Sequence, residues 1–305
     1  MELDLFTELS NRISDLAARA AASVVRVEGR RRGPSSGVVW AADGVILTAH
    51  HTLEREEDVE VGLPTGETAA AELIGRDPTT DLALLRVPAT GLAVPEWGDE
   101  GALRAGQLVL GISRPGKGPR VTLASIARAG GEFRGPAGGR IDRYVETTID
   151  LRPGVSGALV LGADGRAVGV ALAGMARHAA LAIPPSTLRR VVRGLLAHGE
   201  VRRGYLGLAT IPVPLTAQLR ASTGEHVALL VSRVEPDSPA ARAGILLGDA
   251  LLSFGGDTLQ DPSELLTLLA EDRIGDVVPM KLLRAGEVRD VQVTVGARPR
   301  GGRRP

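Results

Sequence analysis

Cysteine is absent from the 305 residues, and lysine nearly so, with Lys117 and Lys281 the two examples among 36 basic residues. The first absence excludes a disulfide framework, a cysteine nucleophile and any thiolate metal site. An excess of either charge is missing too: 36 basic residues balance 36 acidic ones. A chain with no net charge has no bias toward polyanions, so nucleic acid is disfavoured as the main partner. Long apolar runs are also missing. The most apolar stretch, Ala167 to Ala176, is too short to span a bilayer, so no integral membrane segment is expected. The first residues, MELDLFTELSNRISD, are acidic and polar where an export signal needs basic residues followed by an apolar core. On that ground the expected location is the cytoplasm.

What is present is ordinary soluble composition, 44 % apolar and 24 % charged, in a chain long enough for two domains. Leu5, Leu9, Ile13, Leu16 and Ala20 recur at helical spacing and predict an amphipathic helix over residues 1–22, docked on its own domain or forming a subunit contact. From Ser23 the pattern changes to short β-branched runs broken by turns. Val38–Trp40 and Val45–Thr48 flank Asp43-Gly44, a hairpin signal. Further strands are expected at 59–63, 71–74, 82–87, 108–112, 121–126, 144–147, 159–161, 168–172 and 179–183. Gly130 to Gly139 holds five glycines in ten residues and reads as a mobile loop. So many short strands with almost no helix point to an all-β sandwich or barrel. Ser186 to His198 then reads as a helix with Ser186 as N-cap, Gly199 as C-cap residue, and Leu188, Val191, Val192, Leu195 and Leu196 on its buried side. A polar stretch around Gly199 to Arg203 marks a boundary, so residues 23–200 form one domain and 201–297 a second. In the second, strands alternate with two helices, one opened by the capping sequence Asp261-Pro262-Ser263-Glu264. The tail, residues 298–305, is rich in arginine, glycine and proline and is expected to be disordered.

Three chemistries compete for the polar residues. A metal site has little support: no H-E-x-x-H occurs, and without cysteine a zinc site would need scattered His and Asp. Gly111 to Lys117 matches the first seven positions of a phosphate-binding loop, but Gly118 replaces the required hydroxyl residue and a strand-like run follows where a helix is needed. The third is nucleophilic catalysis. Pro153-Gly154-Val155-Ser156-Gly157 places a serine between glycines in a turn before a strand, where its hydroxyl is presented and backbone N–H groups can turn toward a developing oxyanion. Of the five histidines, His198 and His226 read as solvated and His178 lies in a short loop. His50 and His51 follow directly on an apolar strand. Asp81 precedes the apolar run Leu82–Leu85. His51, Asp81 and Ser156, 30 and 75 residues apart, stand in the order of chymotrypsin-like triads.

With these residues in place, the chain resembles the HtrA-type (Deg-type) serine proteases over about residues 20 to 297. Ser36 to His51 looks like the family's S-G-x-x-x-x-x-x-G-x-I-x-T-x-x-H block, Asp77 to Val87 resembles D-x-x-T-D-L-A-L-L-x-V, and Thr147 to Leu159 is similar to the segment ending P-G-N-S-G-G. The resemblance implies a mainly β fold: a chymotrypsin/trypsin-like double β-barrel followed by an α+β PDZ domain. It implies His51, Asp81 and Ser156 as the catalytic triad, with the N–H groups of Gly154 and Ser156 as oxyanion hole and no cofactor. It further implies an ATP-independent endopeptidase for unfolded or damaged polypeptides with small or aliphatic residues before the scissile bond, a homotrimer, and a PDZ domain binding peptide C-termini. Tyr205, Leu206, Gly207 and Leu208 would form the carboxylate loop, and Leu265, Leu268 and Leu269 the pocket. Gly130 to Arg140 would be the loop that senses peptide or neighbouring subunits. Two departures stand out: Val155 replaces the family's asparagine, and Ala158 its second glycine after the serine. The valine is expected to be tolerated; the alanine is expected to restrict the backbone near the acyl site and slow the reaction. These departures also motivate the alternative of a weak or inactive PDZ adaptor or holdase.

Overall fold

The computed structural model describes residues 2–30, 33–55, 57–175, 179–199, 204–269 and 273–297. His178 and the basic tail lie outside the described residues. The chain divides into two compact units, Met1–Val201 and Arg202–Pro305.

The first unit opens with helix α1 (Glu2–Ala21), followed by β1 (Val24–Glu28), β2 (Ser35–Ala41), β3 (Val45–Ala49), β4 (Val59–Gly62), β5 (Thr68–Asp77) and β6 (Leu82–Arg86). These six strands close into a barrel in the order β1-β2-β3-β6-β5-β4. Next come β7 (Leu108–Ser113), β8 (Arg120–Ala129), the short hairpin β9 (Phe133–Arg134) and β10 (Arg140–Ile141), then β11 (Val145–Thr147), β12 (Ala158–Gly162), β13 (Ala167–Leu172), β14 (Ala180–Ile183) and helix α2 (Pro185–His198). All of these strands but the hairpin close a second barrel, β11-β14-β13-β12-β7-β8. The expected double barrel is therefore present. β8 follows Gly118, so no helix opens at the phosphate-loop-like segment.

Side-chain alternation explains why so many strands are apolar on both faces. In β3, Ile46 faces the interior of the first barrel while Val45 and Leu47 join a cluster shared by both barrels. Leu85 and Leu84 divide in the same way in β6. In β12, Val160 faces the interior of the second barrel and Leu159 the shared cluster. Burying each such aliphatic side chain contributes about 1.5–3 kcal/mol, so the seam between the barrels is as firmly packed as either interior. Ile13, Leu16 and Ala17 of α1, and Leu188, Val191 and Leu195 of α2, close the ends of that seam.

Some local expectations need correction. The N-cap of α2 is Pro184, with Pro185 at the first helical position; Ser186 lies inside the helix, where its N–H donates to Glu100 Oε1 at 3.1 Å. Pro185 is already held at a helical φ, which shifts the helix start. Gly199 does end α2, in the left-handed conformation. Leu196 is 47 % exposed, off the buried face. Residues 130–140 are not a featureless loop: β9 and β10 pair, Phe133 packs edge-on to Tyr144 at 5.0 Å, and Arg140 pairs with Glu132 and Asp142.

The second unit holds β15 (Gly204–Tyr205), β16 (Leu208–Pro214), α3 (Ala217–Thr223), β17 (Val227–Val234), α4 (Pro239–Arg242), β18 (Ala250–Phe254), β19 (Asp257–Thr258), α5 (Pro262–Leu268), β20 (Val277–Arg284), β21 (Glu287–Thr294) and β22 (Gly296–Ala297). It has three described helices rather than the two expected; α4 is a single turn, too short to show periodicity. The main sheet runs β16-β17-β18-β20-β21, which leaves β16 as an edge strand beside α5. The capping box at Asp261 and Glu264 forms as the sequence predicts.

Candidate active site

The site is built from strand ends. β3 and β6 pair with Ala49 opposite Leu82, so the residues just after β3 and just before β6 emerge at the same place. His51 lies in a single 3-10 turn after β3. Asp81 is delivered by a turn that Asp77 organises: its carboxylate accepts from Thr79 N and Oγ1 at 3.1 and 2.6 Å and from Thr80 Oγ1 at 2.7 Å. Asp81 has a φ of +59°, a left-handed conformation that Asp and Asn adopt more readily than most residues. Its carbonyl accepts from His50 N at 3.0 Å. Its carboxylate meets His51 twice, with Oδ1 accepting from the His51 N–H at 2.9 Å and Oδ2 contacting Nδ1 at 2.6 Å. An ionised carboxylate only accepts, so Nδ1 carries the proton and Nε2 is left as a base. Asp81 is 7 % exposed, which shields its carboxylate from water, while the His51 side chain stays 36 % exposed.

Ser156 arrives from the second barrel, two residues before β12. The serine loop is fastened to the first barrel: Ser36 N donates to Ser156 O at 3.0 Å, and Ser36 Oγ to Gly154 O at 2.7 Å. Gly157, at φ +85°, could carry no side chain, since a Cβ would lie 1.9 Å from Ser36 O. The three consecutive carbonyls of the loop are all engaged. Pro153 O accepts from Arg120, Gly154 O from Ser36, and Val155 O from Ala158 N. Every peptide of this loop is trans, so each N–H points opposite the carbonyl of its own unit. Val155 N and Gly157 N find backbone acceptors. The N–H groups of Gly154 and Ser156 find none among the described residues. Two donors on buried residues of the short loop that carries Ser156 are thus left open.

The segment after β13 joins the groups. Ala173 N donates to Ser156 Oγ at 3.2 Å, and at the next residue, Gly174, a Cβ would lie 3.4 Å from both His51 Nδ1 and Asp81 Oδ2. His51, Asp81 and Ser156 therefore converge at the barrel seam. The Ser156 hydroxyl hydrogen-bonds Ala173 rather than His51; because it accepts that bond, its own proton is uncommitted. His50 Nδ1 is buried without a hydrogen-bond partner among the described residues, and burial, followed by the charge of Arg76, holds this imidazole below the usual histidine pKa.

Ala158 corrects an expectation. It is fully buried in regular strand opposite Ala171, with no positive φ, so a glycine's freedom is not needed there. Val155 is 8 % exposed and packs into the second barrel's core, away from the hydroxyl. Sequence reasoning missed Ser36, Arg114 and Ala173, which shape the loop. Ser36 lay inside a recognised block; the other two carry no motif of their own. Among the described residues no group of His, Asp and Glu could hold a metal ion.

In the second unit, Gly207 takes φ +79°, and a Cβ there would lie 2.2 Å from that of Ser238. The carbonyls of Leu206 and Gly207 accept from Ala240 N and Glu235 N, while the N–H groups of Leu206 and Gly207 donate to no acceptor among the described residues. Tyr205 donates its hydroxyl to Glu235. Leu208 pairs with Val234 on β17. Leu206, Leu265 and Leu269 are buried in the unit's core, with Leu268 packed at its edge.

A trypsin-like peptidase domain matches residues 35–170 and a PDZ domain matches residues 204–295. The "Probable periplasmic serine endoprotease DegP-like" of Marinomonas sp. (strain MWYL1) is 32 % identical over 279 residues, 89 % of this chain and 59 % of its own. The protein of the same name in Halomonas elongata is 34 % identical over 277 residues, 88 % of this chain and 57 % of its own. "Putative serine protease HhoB" of Synechocystis sp. is 31 % identical over 285 residues, 88 % of this chain and 68 % of its own. The chain thus spans little more than half the length of the DegP-like relatives. Among solved structures, an HtrA-type protease, AlgW with decapeptide, superposes with a TM-score of 0.76 at 27 % identity, covering 95 % of this chain and 99 % of the other. A serine endoprotease from Yersinia pestis gives 0.74 at 29 %, covering 93 % and 97 %. The cytoplasmic location expected from the sequence is overturned, since the Marinomonas and Halomonas relatives are named periplasmic proteins. The acidic, amphipathic start that suggested it lies in α1.

Proposed function

The chain belongs to the family of HtrA-type serine proteases, and on that premise we propose that it is an ATP-independent endopeptidase with Ser156 as nucleophile, His51 as general base and Asp81 as the group that holds the imidazole. The observation carrying this reading is the conjunction at the seam: His51 fixed through both its backbone N–H and Nδ1 by Asp81, and Ser156 flanked by two open N–H groups. In the first step His51 Nε2 takes the Ser156 proton as Oγ attacks the scissile carbonyl. Asp81 stabilises the resulting imidazolium. The carbonyl oxygen, now negative, is received by the N–H groups of Gly154 and Ser156. His51 then returns the proton to the leaving amine, and water hydrolyses the acyl-enzyme by the same route. The hydroxyl must turn from Ala173 toward His51, and catalytic hydrogen bonds of this kind commonly tighten only once substrate is bound. Replacing Ser156 by alanine is expected to abolish cleavage of unfolded casein; undiminished cleavage would refute the assignment.

The second unit is the proposed peptide-docking module. A chain-terminal carboxylate would meet the open N–H groups of Leu206 and Gly207, and the peptide would add as a strand along the edge strand β16. Amidating a peptide's C-terminus is expected to abolish its binding. Homotrimer formation is proposed through α1, whose Leu5, Phe6 and Leu9 are 68 %, 76 % and 47 % exposed, and sedimentation as a monomer would refute it.

The adaptor reading finds one supporting observation, the Ser156 hydroxyl's turn toward Ala173. It predicts a serine inert to fluorophosphonates; the endopeptidase reading predicts a reactive one.

A further inference from the structure

Arg114, in the turn between β7 and β8, is 6 % exposed, and among the described residues it faces no carboxylate. A buried cation without a counter-charge is costly unless its donors are all satisfied. Here three of the five go to backbone carbonyls: Nε donates to Val24 O at 2.6 Å, one terminal nitrogen to Ala21 O at 2.8 Å and the other to Lys117 O at 3.1 Å. Ala21 is the last residue of α1, where orphan carbonyls and the negative end of the helix dipole favour a cation. The guanidinium thus ties the end of α1 and the start of β1 to one turn of the second barrel.

That turn bears directly on the serine loop. Arg114 N donates to Ser36 Oγ at 2.8 Å, and Ser36 Oγ donates to Gly154 O at 2.7 Å. A serine hydroxyl has one proton, so accepting from Arg114 leaves that proton for Gly154. The peptide held in this way is the middle one of three, between the two that carry the open N–H groups. The next residue, Pro115, closes on the same glycine: a Cβ on Gly154 would lie 2.5 Å from Pro115 Cβ.

We propose that Arg114 is a positioning residue for the oxyanion-binding loop, acting through Ser36 on Gly154, so that the reactivity of Ser156 depends on how α1 is anchored. The inference rests on the reading of Ser156 as nucleophile. Arg114 touches no reacting atom; it sets the plane of a peptide that lies between the two oxyanion donors.

The test compares the full chain with Arg114→Met, Arg114→Lys, Ser36→Ala and the Arg114→Met/Ser36→Ala double variant. The readouts are the rate of Ser156 modification by a fluorophosphonate, kcat and KM on an unfolded substrate, and melting followed by the fluorescence of Trp40 and Trp97, both in the first unit with ring centres 5.3 Å apart. Well below the melting point, Arg114→Met and Ser36→Ala should be modified about 10- to 100-fold more slowly, with kcat falling in parallel and KM nearly unchanged. Arg114→Lys should recover part of the rate, because an ammonium reaches fewer of the three carbonyls. The double variant should be no slower than the slower single one, since both act through one relay. If Arg114→Met does not fold, Ser36→Ala, which removes a single oxygen, decides the question. Wild-type rates in the folded single variants, or losses that multiply in the double variant, would overturn the inference alone. A wild-type protein left unmodified at Ser156 would overturn the nucleophile assignment and the inference with it.

Discussion

Replacing Asp81 by asparagine tests the geometry of the relay more sharply than deletion would. Asparagine matches the shape of aspartate, tolerates the left-handed backbone at φ +59°, and leaves no uncompensated charge at a site only 7 % exposed. The fold should survive. The His51 N–H, 2.9 Å from Oδ1, cannot change its role as a donor. The oxygen of the introduced amide must therefore turn to that N–H, which aims the NH2 group at His51 Nδ1, now 2.6 Å from Oδ2. Nδ1 then becomes the acceptor, the ring proton moves to Nε2, and Nε2 loses the lone pair that would take the Ser156 proton. A wrong tautomer of this kind costs about 10⁴-fold in kcat, or roughly 5 kcal/mol of transition-state stabilisation at about 1.36 kcal/mol per decade. The assay is steady-state cleavage of an unfolded protein near neutral pH, with melting curves to show that both proteins are folded. A folded Asp81→Asn variant whose kcat lies within about threefold of wild type would refute the tautomer argument.

Gly157→Ala should fail in both stability and activity. The new Cβ would lie 1.9 Å from Ser36 O in a left-handed conformation, so a loss of at least about 2 kcal/mol is expected, together with a large fall in kcat as Ser36 is displaced from the serine loop; melting and steady-state kinetics read both. In the second unit, burial alone would raise the Asp249 carboxyl, but hydrogen bonds from Arg284 and the Leu246 N–H, with the charge of Arg284, hold it below its usual value. The unfolded chain then takes up the proton first, so the stabilisation is whole above about pH 4 and is lost as pH falls through the lower folded value. Melting of the second unit should therefore show an acid limb that Asp249→Asn removes.

Much of the site was legible because each part of it is local. His51 follows a continuous apolar strand, Asp81 precedes another, and Ser156 stands between glycines, so sequence blocks marked all three residues. The barrels were legible as a class because their strands are short and turn-bounded. Their exact extents were not: β5 begins at Thr68 and β8 reaches Ala129, where polar or small residues give no apolar signal and pairing decides the ends. β1 was not singled out as a separate strand, although its valines divide cleanly between two clusters. That Ala158 sits in regular strand was hidden for a similar reason, since only the pairing with Ala171 shows it. The roles of Ser36, Arg114 and Ala173 depend on contacts between segments far apart in the chain. Arg114 donates to the carbonyls of Val24 and Ala21, 90 and 93 residues away, and no local pattern encodes such a partner.

The central claim is that Ser156 is an activated nucleophile, and chemical modification addresses it without requiring a known substrate. Incubation with a fluorophosphonate, followed by intact-mass measurement and peptide mapping, should show one adduct per chain, on Ser156, nearly absent when His51 is replaced by alanine. A protein that stays unmodified, or reacts equally well without His51, would contradict the account.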